Sequence, residues 1–120
     1  MKKILITILL ISSLIFIAAC NNKSSANLDD FAKCLTANGT SFYGAYWCPH
    51  CQRNKEMFGT SIKYIDYIEC AIQGSNEENP VCTIENIKGY PTWKFEDNSK
   101  HEGEITLQQL ATKTGCVLPK

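Results

Sequence analysis

The most constraining feature of this sequence is a pair of cysteines, Cys48 and Cys51, separated by only two residues. The pair follows an aromatic, β-prone stretch, and Pro49 directly after Cys48 suits the first turn of a helix. The segment therefore predicts a strand that passes into a helix, with Cys48 at the junction. Cysteines at this spacing are typical of a metal site, a structural disulfide or a redox pair.

The first twenty residues indicate export. Lys2 and Lys3 form a short positive start, residues 4–19 form an apolar run, and small residues precede Cys20. The run is shorter than the roughly 20 apolar residues that a membrane-spanning helix needs, so we interpret it as a signal peptide rather than an uncleaved anchor. Residues 17–20, IAAC, resemble the lipobox of bacterial lipoproteins, which implies cleavage before Cys20 and attachment of lipid to its thiol.

These signals divide the chain into three parts. We expect a lipoprotein signal peptide at residues 1–19, a lipidated tether at residues 20–27 and one domain at residues 28–120. The protein is then expected in the bacterial cell envelope, bound to a membrane through the lipid on Cys20 and facing the periplasm or extracytoplasmic space. The 120 residues carry no net formal charge, so we expect no nucleic-acid partner.

Hydrophobic periodicity and turn residues predict alternating helices and strands in the domain. We expect helices over residues 28–37, 49–58, 81–87 and 105–114, and strands over residues 40–47, 62–70, 92–96 and 100–104. This order contains a βαβ unit, then a β-hairpin and a final helix. It predicts an α/β fold in which helices flank both faces of a mixed sheet.

The segments WCPHC at residues 47–51 and GYPTW at residues 89–93 resemble those of the thioredoxin fold, over roughly residues 28–116. With YIEC at residues 67–70 and a later Cys82, they are similar to the thioredoxin-like domain of bacterial vitamin K epoxide reductase homologues. The resemblance implies a central mixed four-stranded sheet flanked by helices, and a thiol-disulfide oxidoreductase without a cofactor. Here we expect that domain alone behind the lipobox, with a membrane redox partner such as a vitamin K epoxide reductase-like protein to reoxidise it.

The helix that begins after Cys48 predicts different roles for the two cysteines. Unsatisfied N–H groups and the positive end of the helix dipole favour the thiolate of Cys48, which we expect to attack. Cys51, one turn into the helix and more shielded, is expected to resolve. His50, if charged or donating a hydrogen bond, would further stabilise the Cys48 thiolate and make the disulfide a better oxidant. The Pro-His pair between the cysteines also matches strongly oxidising periplasmic disulfide-forming proteins, which favours an oxidant.

The sequence departs from thioredoxins at one position. Thioredoxins carry a buried acid six residues before the first cysteine, where it helps to move the proton of the resolving thiol. The residue at that position here is Phe42. Proton transfer from Cys51 must therefore use water or another group, which the sequence does not identify.

Pro91 is the second functional element that the resemblance implies. In the thioredoxin fold a cis-proline loop lies opposite the cysteines, and its backbone pairs with the substrate peptide. An aromatic residue before the proline is compatible with a cis bond, although an ordinary proline at the start of a strand is the alternative. We predict substrate contacts by Trp47, Pro49, Tyr90 and Thr92. Tyr46, Trp47 and Tyr90 could form an apolar lip for an unfolded client or belong to the core.

Four further cysteines suit two structural disulfides in an oxidising compartment. Cys70 ends a predicted strand and Cys82 follows a polar loop, so pairing them would close that loop. A relay that passes electrons to the redox pair is the alternative. A Cys34–Cys116 bond would join the two ends of the domain. We expect no metal, because a zinc site commonly uses two close cysteine pairs, and the spacing of His50 and His101 adds no ligand set.

Three functions fit these observations. The first is a membrane-tethered oxidant that takes oxidising equivalents from a membrane partner and donates its disulfide to exported cysteine-containing proteins. The second is an extracytoplasmic reductase or isomerase, including one that reduces apocytochrome thiols. The third is a non-catalytic interaction module, against which the intact Cys48, Cys51 and Pro91 argue.

Overall fold

A computed structural model describes residues 27–120. The predicted signal peptide at residues 1–19, the lipidation at Cys20 and nearly all of the tether lie outside the described residues. No helix within residues 27–120 has both the length and the hydropathy needed to cross a bilayer. The described elements are α1 (Asp29–Ala37), β1 (Ser41–Gly44), α2 (Pro49–Phe58), a 3-10 helix (Gly59–Tyr64), β2 (Asp66–Glu69), α3 (Pro80–Ile84), β3 (Thr92–Lys94), β4 (Lys100–Glu102) and α4 (Leu107–Thr114).

The strands form one mixed four-stranded sheet in the order β2-β1-β3-β4. Strand β1 pairs in parallel with β2, to which α2 connects it, and antiparallel with β3, which forms a hairpin with β4. This is the predicted βαβ unit followed by a β-hairpin. The arrangement confirms the predicted fold class, a thioredoxin-like α/β fold with helices flanking a mixed sheet.

Two predicted strands are longer than the observed ones. The strand predicted over residues 40–47 ends at Gly44, because a turn closed by Cys48 N and Ala45 O (3.0 Å) carries the chain into α2. The strand predicted over residues 62–70 is wrong in its first half, which belongs to the 3-10 helix. Ile62 and Ile65, three residues apart, both pack against the core. In so short a segment this spacing cannot be told from the imperfect alternation of a strand.

Helix α2 has the predicted bounds, whereas other elements end or begin inside their predicted limits. Helix α3 ends at Ile84 rather than residue 87, with Asn86 in the left-handed region (φ 54°). Helix α4 begins at Leu107 rather than residue 105, since Thr106 and Gln109 form a reciprocal capping box at its start. Strands β3 and β4 each end two residues before the predicted limits.

The two faces of β1 carry two different clusters of buried side chains, because neighbouring residues of a strand point to opposite faces. Phe42 stacks on Trp93 of β3 with ring centroids 4.4 Å apart. Its cluster also takes buried residues from α1, α2 and α4, namely Phe31, Leu35, Phe58 and Leu110. Tyr43 packs on the other face, in a cluster with Cys70, Cys82 and Ile87. Helices thus cover both faces and fix the start of α2 at the end of β1.

Two disulfides connect these elements. Cys34 of α1 is bonded to Cys116, just after α4, and Cys70 is bonded to Cys82 of α3. These are the pairings predicted from the sequence. Cys70 and Cys82 are both fully buried, which favours a structural role over the alternative relay.

Candidate active site

The turn after β1 places Cys48 at the start of α2. Cys48 is the N-cap residue with extended backbone angles, and Pro49 occupies the first helical position, where its missing N–H costs no hydrogen bond. The Cys48 sulfur accepts a hydrogen bond from the backbone N–H of Cys51 at 3.2 Å. A helix N-terminus and a donated N–H both favour negative charge on the atom that they contact. Cys48 therefore has the surroundings predicted for an attacking sulfur.

Cys48 and Cys51 carry free thiols. The Cys51 thiol donates to the adjacent Cys48 sulfur. Burial, and then this hydrogen bond, raises the pKa of the Cys51 thiol to about 12. Cys51 is fully buried, whereas 3% of Cys48 is exposed, so solvent reaches only Cys48. At neutral pH the arrangement holds Cys51 as a protonated thiol behind the sulfur that faces the surface.

The loop before β3 lies against the same sulfur. The Tyr90–Pro91 peptide bond is cis, the geometry that the thioredoxin resemblance implied. The Tyr90 carbonyl oxygen is 3.7 Å from the Cys48 sulfur. Thr92 is fully buried and its hydroxyl donates to Gly89 O, so its side chain belongs to the core rather than to a client surface.

Aromatic side chains surround the opening to Cys48. Trp47 packs edge-on against Tyr90 with ring centroids 6.0 Å apart, and Pro49 is exposed. Tyr46 is 43% exposed and Trp47 is 61% exposed, which favours a surface lip over the core alternative for these two rings. A groove of about 270 Å³ begins at this lip and is lined by Tyr46, Trp47, Tyr90, Ala71, Ile72 and residues 75–78.

His50 lies on the exposed side of α2 and faces a carboxylate. Its Nδ1 is 2.6 Å from Glu104 Oε1, and Arg53 Nη2 is 2.7 Å from the same nitrogen. Since Arg53 only donates, Nδ1 either carries a proton and donates it to Glu104 or is bare and accepts from Arg53. Arg53, followed by His50, lowers the pKa of Glu104. In the described part of the chain no hydrogen bond joins His50 to Cys48, so the direct bond that the sequence allowed is not formed.

Asn54 positions α2 and was not identified from the sequence. Its Oδ1 accepts from Trp93 Nε1 at 2.9 Å and from Ile105 N at 3.3 Å, and its Nδ2 donates to Ile105 O at 3.2 Å. These bonds tie the redox helix to β3 and to the segment before α4. A polar residue on the apolar face of a predicted helix was the available signal.

Gly44, the last residue of β1, faces the buried thiol directly. A Cβ at this position would lie 2.9 Å from Tyr67 Cε2 and 3.2 Å from the Cys51 sulfur. Glycine lowers strand stability, so its presence here indicates a close approach of other groups. The position holds glycine because a tyrosine ring and the resolving thiol occupy the space beside it.

The first prediction concerns this glycine. Gly44→Ala is expected to lower the free energy of unfolding by about 1–3 kcal/mol, because the new methyl group must displace a packed ring and a buried sulfur. Urea denaturation would measure the change. Gly89→Ala is the matched control, since a Cβ there meets no atom within 4 Å, and its effect should stay within about 0.5 kcal/mol. Equal losses in the two variants would contradict the packing argument.

Residues that could bind a metal ion were considered within residues 27–120. In that range no three His, Cys, Asp or Glu side chains come together as a metal-binding cluster. His101 Nε2 instead lies 3.1 Å from the backbone oxygen of Glu104.

A relative of this chain is found among known proteins. No protein-family model matches the chain. The chain is similar to thiol-disulfide oxidoreductase LTO1 of Arabidopsis thaliana. The two sequences are 38% identical over 102 residues, which represent 82% of this chain and 27% of LTO1. The chain thus spans about a quarter of the length of this relative. Because the aligned region covers 82% of the chain, it includes residues 48–91.

Proposed function

We propose that this chain is a thiol-disulfide oxidoreductase that exchanges disulfides with exported proteins through Cys48 and Cys51, more readily as an oxidant than as a reductant. The observation that carries the proposal is the Cys48 sulfur at the N-cap of α2, bonded to the Cys51 N–H and lying 3.7 Å from the Tyr90 carbonyl. The name of LTO1 supports an oxidoreductase that acts on thiols and disulfides.

The proposed cycle begins with the pair joined as a disulfide. A client thiolate attacks the Cys48 sulfur, the Cys48–Cys51 bond breaks, and Cys51 leaves with the electron pair and takes up a proton. A second client thiolate then attacks the client sulfur of the mixed disulfide, and Cys48 leaves as a thiolate. The client loses two electrons and gains a disulfide, while the cysteine pair gains two electrons. The burial of Cys51 directs the first attack to Cys48.

The lip and groove beside Cys48 support a peptide client. Trp47 and Tyr90 offer apolar surface next to the reacting sulfur, and Ile72 extends that surface along the groove. Unfolded exported proteins present such apolar side chains together with their cysteines. We assign the client segment that flanks the attacking cysteine to this groove.

The location and the partner belong to the same proposal. Lipid on Cys20 would hold the domain at a membrane of the bacterial cell envelope, and the lipobox-like IAAC supports this. A membrane redox partner, such as a vitamin K epoxide reductase-like protein, would reoxidise the pair by the reverse exchange. The similarity of the cysteine segments to the thioredoxin-like domain of such homologues supports that partner.

The second prediction tests the direction of exchange. Equilibration with glutathione should give the Cys48–Cys51 pair a reduction potential nearer to about −120 mV than to the value of about −270 mV for thioredoxin. The expectation rests on the N-cap geometry of Cys48 and on the match of the Pro-His pair to strongly oxidising disulfide-forming proteins. The double variant Pro49→Gly/His50→Pro, which introduces the Gly-Pro pair of common thioredoxins, should lower the reduction potential of the Cys48–Cys51 pair.

Two outcomes would change the assignment. A wild-type potential below about −230 mV would favour a reductase or isomerase in the same compartment. A pair that does not equilibrate with glutathione at all would favour a binding module that keeps the fold without electron exchange.

A further inference from the structure

The resolving step requires a proton acceptor for a buried thiol. Burial and the hydrogen bond to Cys48 raise the pKa of Cys51 to about 12, so at neutral pH its proton has to leave as it attacks. Phe42 is fully buried and stacked on Trp93, so it supplies no acceptor. A side-chain acceptor then has to come from another element that reaches the Cys51 sulfur.

Strand β2 reaches that sulfur across Gly44. The register of β1 and β2 pairs Phe42 with Tyr67 and Gly44 with Glu69. A Cβ at Gly44 would lie 3.0 Å from the Tyr67 hydroxyl oxygen and 3.2 Å from the Cys51 sulfur. The hydroxyl and the thiol therefore both border the small space beside Gly44 that a side chain would fill.

The Tyr67 hydroxyl leads on to a fixed carboxylate. It donates to Glu69 Oε2 at 2.8 Å, while Glu69 Oε1 accepts from the backbone N–H of Tyr46 at 2.9 Å and of Ala71 at 3.1 Å. These bonds hold the carboxylate beside the turn that carries the cysteine pair. Burial, followed by the bond to Glu69, raises the pKa of Tyr67, so its hydroxyl keeps a proton to pass on.

We propose that Tyr67 and Glu69 form the proton path of Cys51, with Tyr67 as the shuttle and Glu69 as the acceptor. The proposal rests on the proposed function, since it concerns the resolving step of disulfide exchange. The proton-accepting carboxylate then lies on β2, the strand beside β1. In thioredoxins the corresponding acid lies at the position within β1 that Phe42 occupies here.

Cys48 is bonded to a client sulfur, and the Cys51 sulfur attacks Cys48. The Cys48–Cys51 bond forms, and the bond from Cys48 to the client breaks with the electron pair leaving on the client thiolate. The Cys51 proton passes to the Tyr67 oxygen as the Tyr67 proton passes to Glu69. The Cys51 sulfur is oxidised from thiol to disulfide as the client sulfur is reduced from disulfide to thiolate, and the reverse path returns a proton when Cys51 is the leaving group.

Other charged and titratable groups surround this path on each side. From α2, Cys48 contacts the Cys51 sulfur, and Lys55 Nζ lies 3.6 Å from the centroid of the Tyr67 ring. Lys55 lowers the pKa of Cys51 against the larger effect of burial. From the segment before β3, Tyr90 donates to Glu78, and its raised pKa, due first to burial, also reflects Glu69 and Cys51. A charged Lys55 ammonium favours the Cys51 thiolate but has no lone pair to accept a proton. We therefore assign the acceptor role to the Glu69 carboxylate rather than to Lys55.

In the third prediction, the reactions of Cys48 and Cys51 are observed as two successive kinetic phases. Dithiobis(nitrobenzoate) reacts first with Cys48 and releases one thionitrobenzoate, and the attack of Cys51 then releases a second. Tyr67→Phe should slow the second release by about tenfold or more near pH 7 and leave the first unchanged, since a positioned proton acceptor contributes about 10²-fold or more. The difference should shrink towards about pH 10, as hydroxide increasingly removes the Cys51 proton in place of the path. Stopped-flow absorbance measures both phases.

Glu69→Gln is a second variant that keeps the shape of the carboxylate, and it should slow the same phase. Tyr64→Phe and Glu56→Gln are matched controls away from the path, and both phases should match the wild type. If Tyr67→Phe resolves at the wild-type rate at every pH, or slows both phases alike, the proton path is wrong. If the wild type itself releases only one thionitrobenzoate, the proposed function fails instead.

Discussion

Cys48→Ser is expected to reduce disulfide exchange by about a thousandfold or more, to the uncatalysed rate. A hydroxyl oxygen cannot form a mixed disulfide, and Cys51 cannot replace Cys48 because it is fully buried and its pKa is raised to about 12. The measurement is oxidative refolding of a reduced client protein by the oxidised enzyme. Serine is close in size to cysteine, so the fold should be retained.

Cys51→Ala is the matched variant for the other sulfur. It retains the Cys48 thiolate, which can attack a client disulfide, but removes the thiol that would release the client from the resulting mixed disulfide. Adducts between Cys48 and client proteins should therefore accumulate and disappear on reduction. Residual exchange by Cys48→Ser would place the chemistry on a different sulfur, and a clean absence of adducts with Cys51→Ala would favour a binding module.

The double variant Cys34→Ala/Cys116→Ala should show the largest loss of stability. The bond closes a loop with a sequence separation of 82 residues, and losing it should cost about 4.5 kcal/mol in the chain-entropy model. A small domain is stable by only about 5–15 kcal/mol, so the variant should approach the limit of folding. Urea denaturation, with the Cys48–Cys51 pair in the same redox state in every sample, measures the change.

The second disulfide provides the matched comparison. The Cys70–Cys82 bond closes a separation of only 12 residues, so Cys70→Ala/Cys82→Ala should cost about 3 kcal/mol. A greater loss from the short loop than from the long one would contradict the entropic account. It would indicate that packing beneath α3 dominates the contribution of that bond.

Elements that depend on neighbouring residues were predictable from the sequence. The junction at Cys48 follows from an aromatic strand, a proline at the first helical position and a glycine that ends the helix. The order of elements then limited the topology to a βαβ unit and a hairpin. Predictions failed where periodicity was ambiguous, as in residues 59–64, because an imperfect apolar pattern fits both a strand and a 3-10 helix.

The candidate site was predictable in part. The cysteine pair, the cis bond at Pro91 and both disulfide pairings are present as predicted. The position of His50 was not, because its contact with Glu104 joins residues 54 positions apart. The burial of Thr92 was also not predictable, because it depends on the strands that pair with both sides of β3.

The sequence by itself determined where the reactive sulfur lies, because capping, turn formation and helix initiation act over a few adjacent residues. Only the tertiary structure decided what surrounds that sulfur. Antiparallel pairing of β1 with β3 brings the Tyr90 carbonyl to Cys48, and parallel pairing with β2 brings Tyr67 to Cys51 across Gly44. Such contacts depend on strand register and on space left by a missing side chain, which no local pattern of residues encodes.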